Sequence, residues 1–416
     1  MTESETRPVP QGIELRPFTP ADVPAAKRAD AIAFGEPFDP AFEKPMIEGL
    51  PLERSLGAFA DGGLVGTSAL LTLELTLPGG TRIPAAGLTW VSVLPTHRRR
   101  GILRALMERQ LAAARDRGDL VSCLLASESH LYGRFGYGPA TFHVEARLDT
   151  GKAHFRTPVN VPGRMRMLFD PEPVAALAPV WEQVRRQQVG AVSRDPVWWA
   201  GSIRDEAAKP GRLLITLHET EEGEPDGYAV YRFIPEWREG LGKGRVVVVD
   251  LASPDPAVRL VLWRHLLDTD LACEVQAERI PVDDGLRWQL LEPRQLRTVT
   301  LADDLWLRPL DVRACLEART YAGADRLLLQ VSDDLFPDNQ GVFELTVAEG
   351  TGSCRRVQAA PDLTLDVAQL GSVLLGGVAF ARLAEAGYVA ERSQGALSRA
   401  DHLFNVQPAP FSGTQF

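Results

Sequence analysis

The stretch from residue 86 to residue 126 constrains the chain most. Residues 86–94 read as a strand ending at Pro95, and residues 101–117 carry Ile102, Leu103, Leu106, Met107 and Leu111 at helical spacing before stopping at Gly118. Residues 120–126 are apolar except for Ser122, the pattern of a strand buried on both faces. Strand, helix and buried strand in succession fold as a right-handed crossover with the two strands parallel. The first connection reads Pro95-Thr96-His97-Arg98-Arg99-Arg100-Gly101. The first-turn amides of a helix lack intrahelical partners and sit at its positive end, so they bind anions. Glycine there admits a pyrophosphate close to the backbone, and arginines add charge-assisted hydrogen bonds. Arginines at a helix N-terminus are otherwise electrostatically misplaced, so the pattern favours an anion site over a solvated charge run.

Around this unit the chain is organised by turns. Residues 13–17 alternate like a strand, and residues 20–34 read as a helix whose apolar face includes Val23 and Ile32. Strands are expected at 55–59 and 64–77, separated by the hairpin signal Asp61-Gly62-Gly63, with Pro78-Gly79-Gly80 turning into the next strand. Composition becomes loop-like at Pro158, Pro162 and Gly163. Strands at 213–218, 228–233 and 245–251, then a helix at 257–267, repeat the earlier strand-loop-helix layout. The loop of this degenerate copy, Ser253-Pro254-Asp255-Pro256, is acidic and should not hold an anionic cofactor. A third region starts near Leu301, with alternation in 326–331 and 342–347, a turn at 337–341, and helices near 366–375 and 379–386. The closing run Pro408-Ala409-Pro410-Phe411-Ser412-Gly413-Thr414-Gln415-Phe416 is too rigid and apolar for a frayed tail, so it is expected to be held.

At 416 residues the chain exceeds the size of one hydrophobic core and is expected to form two or three domains. A net charge of −10 disfavours a nucleic-acid partner and raises the local concentration of cationic small molecules such as polyamines. Residues 1–12 lack the apolar core of an export signal, and the weakly polar run 370–381 is too short and too glycine-interrupted for a membrane span. Cys123, Cys273, Cys315 and Cys354 show no paired spacing, and the seven histidines form no ligand pattern and read as surface or satisfied residues. A cytoplasmic protein with no membrane contact and no metal is expected. No GxSxG, GxxxxGK[ST] or HExxH motif occurs, and the Gly240, Gly242, Gly244 spacing precedes a strand, as a turn would.

After the buried strand comes Ser127-Glu128-Ser129-His130-Leu131-Tyr132-Gly133-Arg134-Phe135-Gly136-Tyr137-Gly138-Pro139-Ala140. The basic loop resembles the acyl-CoA motif of the GNAT superfamily of N-acetyltransferases. Leu131-Tyr132 with Gly136-Tyr137 resembles the later tyrosine and Gly-aromatic signature of that superfamily, and the run His97-Arg98-Arg99-Arg100-Gly101 with Tyr132-Gly133-Arg134-Phe135-Gly136-Tyr137-Gly138-Pro139-Ala140 resembles more narrowly the Eis (enhanced intracellular survival) branch. That resemblance implies an α+β fold with tandem acetyltransferase domains, the first active, and a sterol-carrier-protein-like domain. The corresponding divisions are 1–150, 151–296 and 297–416. It implies acetyl-CoA held at Val91, Ser92, Val93, Arg99, Arg100, Gly101, Ile102, Leu103, Arg104, Ser127 and Glu128. Tyr132 would be the general acid and the Phe416 carboxylate the general base. It further implies a homohexamer and direct transfer of acetyl to amines of aminoglycosides or of lysine side chains, and the net charge adds polyamine-like molecules to the expected substrates. Asp30, Glu36 and Asp39 lie in the region that lines the substrate cleft of the family.

The chemistry is consistent with these roles. A phenol is protonated at neutral pH and can donate to a departing thiolate, whereas an α-carboxylate is charged and can attract an ammonium and accept its proton. Its weak basicity requires burial or an easily deprotonated amine. Cys123, inside an expected buried strand, is a poor nucleophile, so no acetyl-enzyme is expected. The rival reading is a binding protein whose third domain carries an apolar ligand under acetyl-CoA control. It predicts that loss of Phe416 leaves cofactor-linked function intact.

Overall fold

The computed structural model describes residues 9–35, 51–169, 173–203 and 209–416. The chain opens with β1 (Glu14–Pro17) and α1 (Val23–Phe34), then β2 (Ser55–Ala60), β3 (Gly63–Thr76) and β4 (Arg82–Val93). Helix α2 (Ile102–Asp116) crosses to β5 (Val121–Leu125), and one turn of helix, α3 (Ser129–Tyr132), leads to β6 (Gly138–Pro139). The middle of the chain forms β7 (Phe142–Asp149), β8 (Arg164–Leu168), α4 (Val174–Gln187), α5 (Pro196–Ser202), β9 (Arg212–Glu219) and β10 (Pro225–Ile234). A small hairpin, β11 (Trp237–Arg238) and β12 (Leu241–Gly242), precedes β13 (Gly244–Ala252), α6 (Pro256–Leu267), β14 (Ala272–Pro281), α7 (Leu286–Gln289) and β15 (Arg297–Asp303). The last part contains β16 (Leu305–Pro309), α8 (Val312–Ala318), β17 (Asp325–Ser332), β18 (Gly341–Ala348) and β19 (Thr351–Val357). It ends with β20 (Leu363–Asp366), α9 (Val367–Val373), α10 (Phe380–Glu385), β21 (Val389–Glu391) and α11 (Ala396–Phe404).

The described chain forms two compact units. The first takes the described residues through Ala140 with Leu305–Val406 and Gln415–Phe416; the second takes Thr141–Asp304 and Gln407–Thr414. In the first, a seven-stranded sheet has the order β1-β2-β3-β4-β5-β16-β6 and a five-stranded sheet the order β19-β18-β17-β20-β21. Helix α2 lies on the larger sheet because its apolar residues fall on one stripe: Ile102, Leu106, Met107, Leu111 and Ala114 are fully buried. Each large aliphatic side chain so placed stabilises the fold by about 1.5–3 kcal/mol, and Leu106→Ala would break the packing most directly. Gln110 shares the stripe without penalty, its amide donating to the carbonyls of Arg54 and Ser68 at 3.2 Å each. Gly118, with φ of +86°, ends the helix as its sequence position predicts.

In the second unit the sheet order is β15-β7-β14-β13-β10-β9-β8, and β13 and β14 are parallel around α6, the same crossover as β4-α2-β5. At the start of α6 the Asp255 carboxylate accepts from the Ala257 amide at 2.7 Å. The helix terminus that would bind an external anion is thus satisfied by the chain's own carboxylate.

Three expectations shift. Residues 142–149, placed in the first domain, form β7, which pairs with β14 and β15 because Val144, Ala146 and Leu148 bury their side chains in the core of the second unit. Residues 297–303, placed at the start of the third domain, form β15 in that same sheet, whereas β16 inserts between β5 and β6 of the first. Ile32, expected on the apolar face of α1, is 51% exposed; the buried stripe runs through Val23, Ala26, Lys27 and Ala29 instead.

Candidate active site

The parallel pair β4 and β5 is short. Its register runs only from Ala85↔Val121 to Gly87↔Cys123, although β4 continues to Val93. Across the sheet the pairing of β4 with β3 slips between Thr67↔Ser92 and Ala69↔Thr89, and Trp90 sits at that bulge with φ of +53°. A bulge bends its strand, and a non-glycine residue at positive φ is a strained position that the surrounding structure must hold. Thr67 supplies part of that hold, its hydroxyl lying 2.7 Å from the Trp90 carbonyl and 2.6 Å from the Ser92 hydroxyl. Beyond Gly87 the edge of β4 that faces β5 is therefore not hydrogen-bonded to that strand, and the end of β4 leads directly into the basic loop.

That loop contains two left-handed residues, Arg99 with φ of +62° and Gly101 with φ of +83°, the latter preceding α2. No side chain caps the helix. Arg98 is tied to the Val93 carbonyl at 3.2 Å and Arg104 to Glu108 at 3.3 Å. Among the described residues no hydrogen bond or ion pair engages Arg99, Arg100 or Arg134. Cations free beside an uncapped helix N-terminus raise the local positive potential, which an anion would relieve. The donor set fits a pyrophosphate, and the unpaired edge of β4 fits an extended amide-bearing arm.

A cavity of about 560 Å³ opens along these elements. It is lined by Val91, Ser92, Val93, Arg99, Gly101, Ile102, Leu103, Arg104, Ser127, Glu128 and Tyr132, so eleven of the thirteen site residues expected from the sequence converge. Arg100 is exposed and is not in the lining. Phe416 is not in it either, although its ring lies against the parting of the strands, 3.2 Å from where a Cβ on Gly87 would sit. Ser92 contributes backbone to the wall, because its hydroxyl is buried against Thr67. Ala33 and Phe34 at the end of α1 also line the cavity, as do His97 and His130, two of the histidines expected to be surface or satisfied residues. The apolar stripe of α1 does not mark which of its ends reaches the cavity. Asp30 lies on α1, and Glu36 and Asp39 fall outside the described residues.

Tyr132 ends α3 and is 6% exposed, its ring edge-on to Tyr137 at 6.2 Å. Burial pushes its phenol above the ordinary value, a hydrogen bond with Ser127 opposing and the Glu128 charge reinforcing the shift. Tyr137 is locked deeper, 2.6 Å from the Ser122 hydroxyl, so it is a packing residue. Cys123 is fully buried, and desolvation raises its thiol far from the thiolate range. Among the described residues no three His, Cys, Asp or Glu side chains are grouped to hold a metal, and no helix is long and apolar enough to cross a membrane.

Comparison with known proteins decides the family. Residues 14–140 and 190–313 each match an acetyltransferase (GNAT) domain model, and residues 312–413 match a sterol carrier protein domain. An uncharacterized N-acetyltransferase of Streptomyces coelicolor is 37% identical over 91% of this chain and 94% of its own length. The N-acetyltransferase Eis of Mycobacterium tuberculosis is 35% identical over 84% of this chain and 85% of its own. The crystal structure of Eis1 from Mycobacterium abscessus superposes with a TM-score of 0.86 at 36% identity, covering 97% of this chain and all of that one. The chain belongs to the Eis family of GNAT acetyltransferases. The matched domains and the relatives named N-acetyltransferase make the protein an acyltransferase enzyme. The tandem domains are likewise those of the Eis architecture, with the second copy capped by Asp255 where the first is open.

Proposed function

We propose that this Eis-type enzyme acetylates primary amines of a cationic small molecule, an aminoglycoside or a polyamine-like compound, or lysine side chains, by direct transfer. One observation carries the reading: the uncapped basic terminus of α2 and the buried, proton-holding hydroxyl of Tyr132 line the same cavity. Val91, Ser92 and Val93 would hold the pantetheine arm. The loop and helix from Arg99 through Arg104, with Arg100 reaching from outside the cavity, would hold the pyrophosphate. Ser127 and Glu128 close the opposite wall. The bound cofactor supplies the acetyl thioester. The Phe416 carboxylate attracts the ammonium and takes the proton that the nitrogen loses as its bond to the acetyl carbon forms. Tyr132 donates its proton as the carbon–sulfur bond breaks, so the thiol leaves neutral. The net charge of −10 favours cationic acceptors and disfavours nucleic acid. Homohexameric assembly belongs to the same proposal and is testable by light scattering.

Thiol release from acetyl-CoA in the presence of neomycin or spermidine tests it, comparing the full chain, Tyr132→Phe and a chain ending at Gln415. Amine-dependent release lost in both variants, with acetyl-CoA binding retained, is expected. Cofactor binding without release for any amine would overturn it.

A further inference from the structure

One cation in the cavity wall has no task so far. Arg134 lies in the turn that follows Tyr132, and it lines the same cavity as Arg99 and the first turn of α2. Its guanidinium is exposed, and among the described residues no hydrogen bond, ion pair or ring contact engages it. The residues around it are engaged. Phe135 is buried, and the guanidinium carbon of Arg104 lies 5.8 Å from its ring centroid, which sets the turn beside the phosphate cradle at the start of α2. Glu128 is the one carboxylate among the described lining residues, and its oxygen lies 3.7 Å from His130 Nε2.

A surface arginine without a partner is ordinary by itself, but this one faces a cavity that already holds cations. Arg98, Arg99 and Arg104 share the wall, and only Arg104 is neutralised, by Glu108 at 3.3 Å. Like charges gathered in one cavity repel one another unless an anion joins them. Acetyl-CoA carries more charge than its pyrophosphate alone. The pyrophosphate bears about one charge on each phosphate, which Arg99, Arg100 and the amide terminus of α2 can balance. The 3′-phosphate on the ribose is a monoester. It adds about 1.5–2 further negative charges at pH 7 and offers three acceptor oxygens to a planar guanidinium. A cation at Arg134 would repel a cationic amine, so it serves the cofactor and not the acceptor.

We propose that Arg134 holds the 3′-phosphate of acetyl-CoA and is the residue by which this protein tells coenzyme A from its dephosphorylated form. The assignment rests on the acetyl-CoA reading above. Calorimetry on the full chain tests it, with CoA and 3′-dephospho-CoA as the two ligands and the parent, Arg134→Gln and Arg134→Lys as the three proteins. The parent is expected to bind CoA about tenfold tighter than 3′-dephospho-CoA, the size of one exposed charge-assisted contact. Arg134→Gln should lose that factor for CoA and change the Kd of 3′-dephospho-CoA less than about twofold, so that the two ligands become equal. Arg134→Lys keeps the charge and loses the fork, and it should retain part of the discrimination. The side chain is exposed and unpartnered, so all three proteins should melt at the same temperature. Equal weakening of both ligands by Arg134→Gln would put the residue on the pyrophosphate and overturn the assignment. So would a parent that binds the two ligands equally, or a discrimination that survives the substitution. A parent that binds neither ligand would overturn the acetyl-CoA reading itself, a result distinct from any change in the ratio.

Discussion

Buried polar side chains in this protein are finished by partners far away in sequence. Arg308 and Asp333 form a bidentate pair at 2.7 and 3.1 Å, both essentially inaccessible, and Asp333 also accepts from the Leu335 and Phe336 amides and from Asn339. Asp333→Ala would leave a buried guanidinium and several amides unpaired, so it should cost about 3–5 kcal/mol in urea unfolding; a loss below about 1 kcal/mol would mean that water replaces the carboxylate. Tyr132 makes a pH prediction. Burial holds its phenol above the ordinary value, so the wild-type minus Tyr132→Phe difference in absorbance near 295 nm should rise at higher pH than that of a free tyrosine. The stability that comes from burying this neutral phenol is fully present well below the unfolded pKa of about 10 and is lost as pH rises from there through the higher folded value. Residues of this kind were the least legible in the sequence. Tyr132 was found through its neighbours' motif, whereas nothing local marks Arg308, because the group that justifies burying it is Asp333.

At the scale of elements the reading was better, because periodicity and turns are local. The strand, basic loop, helix and buried strand of 86–126 fold as their pattern requires, and Gly118 stops α2. The bulge at Trp90 was not legible, since no residue type announces it; pairing with β3 and the Thr67 hydroxyl impose it. Gly101 is the position where the loop depends on one residue type. Gly101→Val would force a branched side chain to φ of +83°, at about 1–2 kcal/mol, and should weaken acetyl-CoA binding about tenfold by calorimetry. Unchanged affinity would separate this helix terminus from the cofactor. In the acidic loop before α6, expected to be a poor anion site, the Asp255 carboxylate accepts from the Ala257 amide.

Across the whole molecule, chain order and spatial order diverge. The sequence divides naturally after residue 150 and near 297, where composition changes, but β7 and β15 belong to one sheet and β16 to another. Patterning can identify a strand and cannot name its neighbour, and β16, with only five residues, gave no pattern of its own. A chain ending at residue 140 should therefore show no cooperative thermal transition, since β5 would lose the partner that covers it from Val121 to Leu125. A sharp transition in that fragment would show that β1 to β5 suffice.

The placement of β16 also bears on synthesis. Roughly 180 residues must follow β5 before its neighbour emerges from the ribosome, about 10 to 40 s at ordinary elongation rates. During that interval the nascent N-terminal sheet carries an open, apolar edge, a surface that can pair with other chains until its own strand arrives.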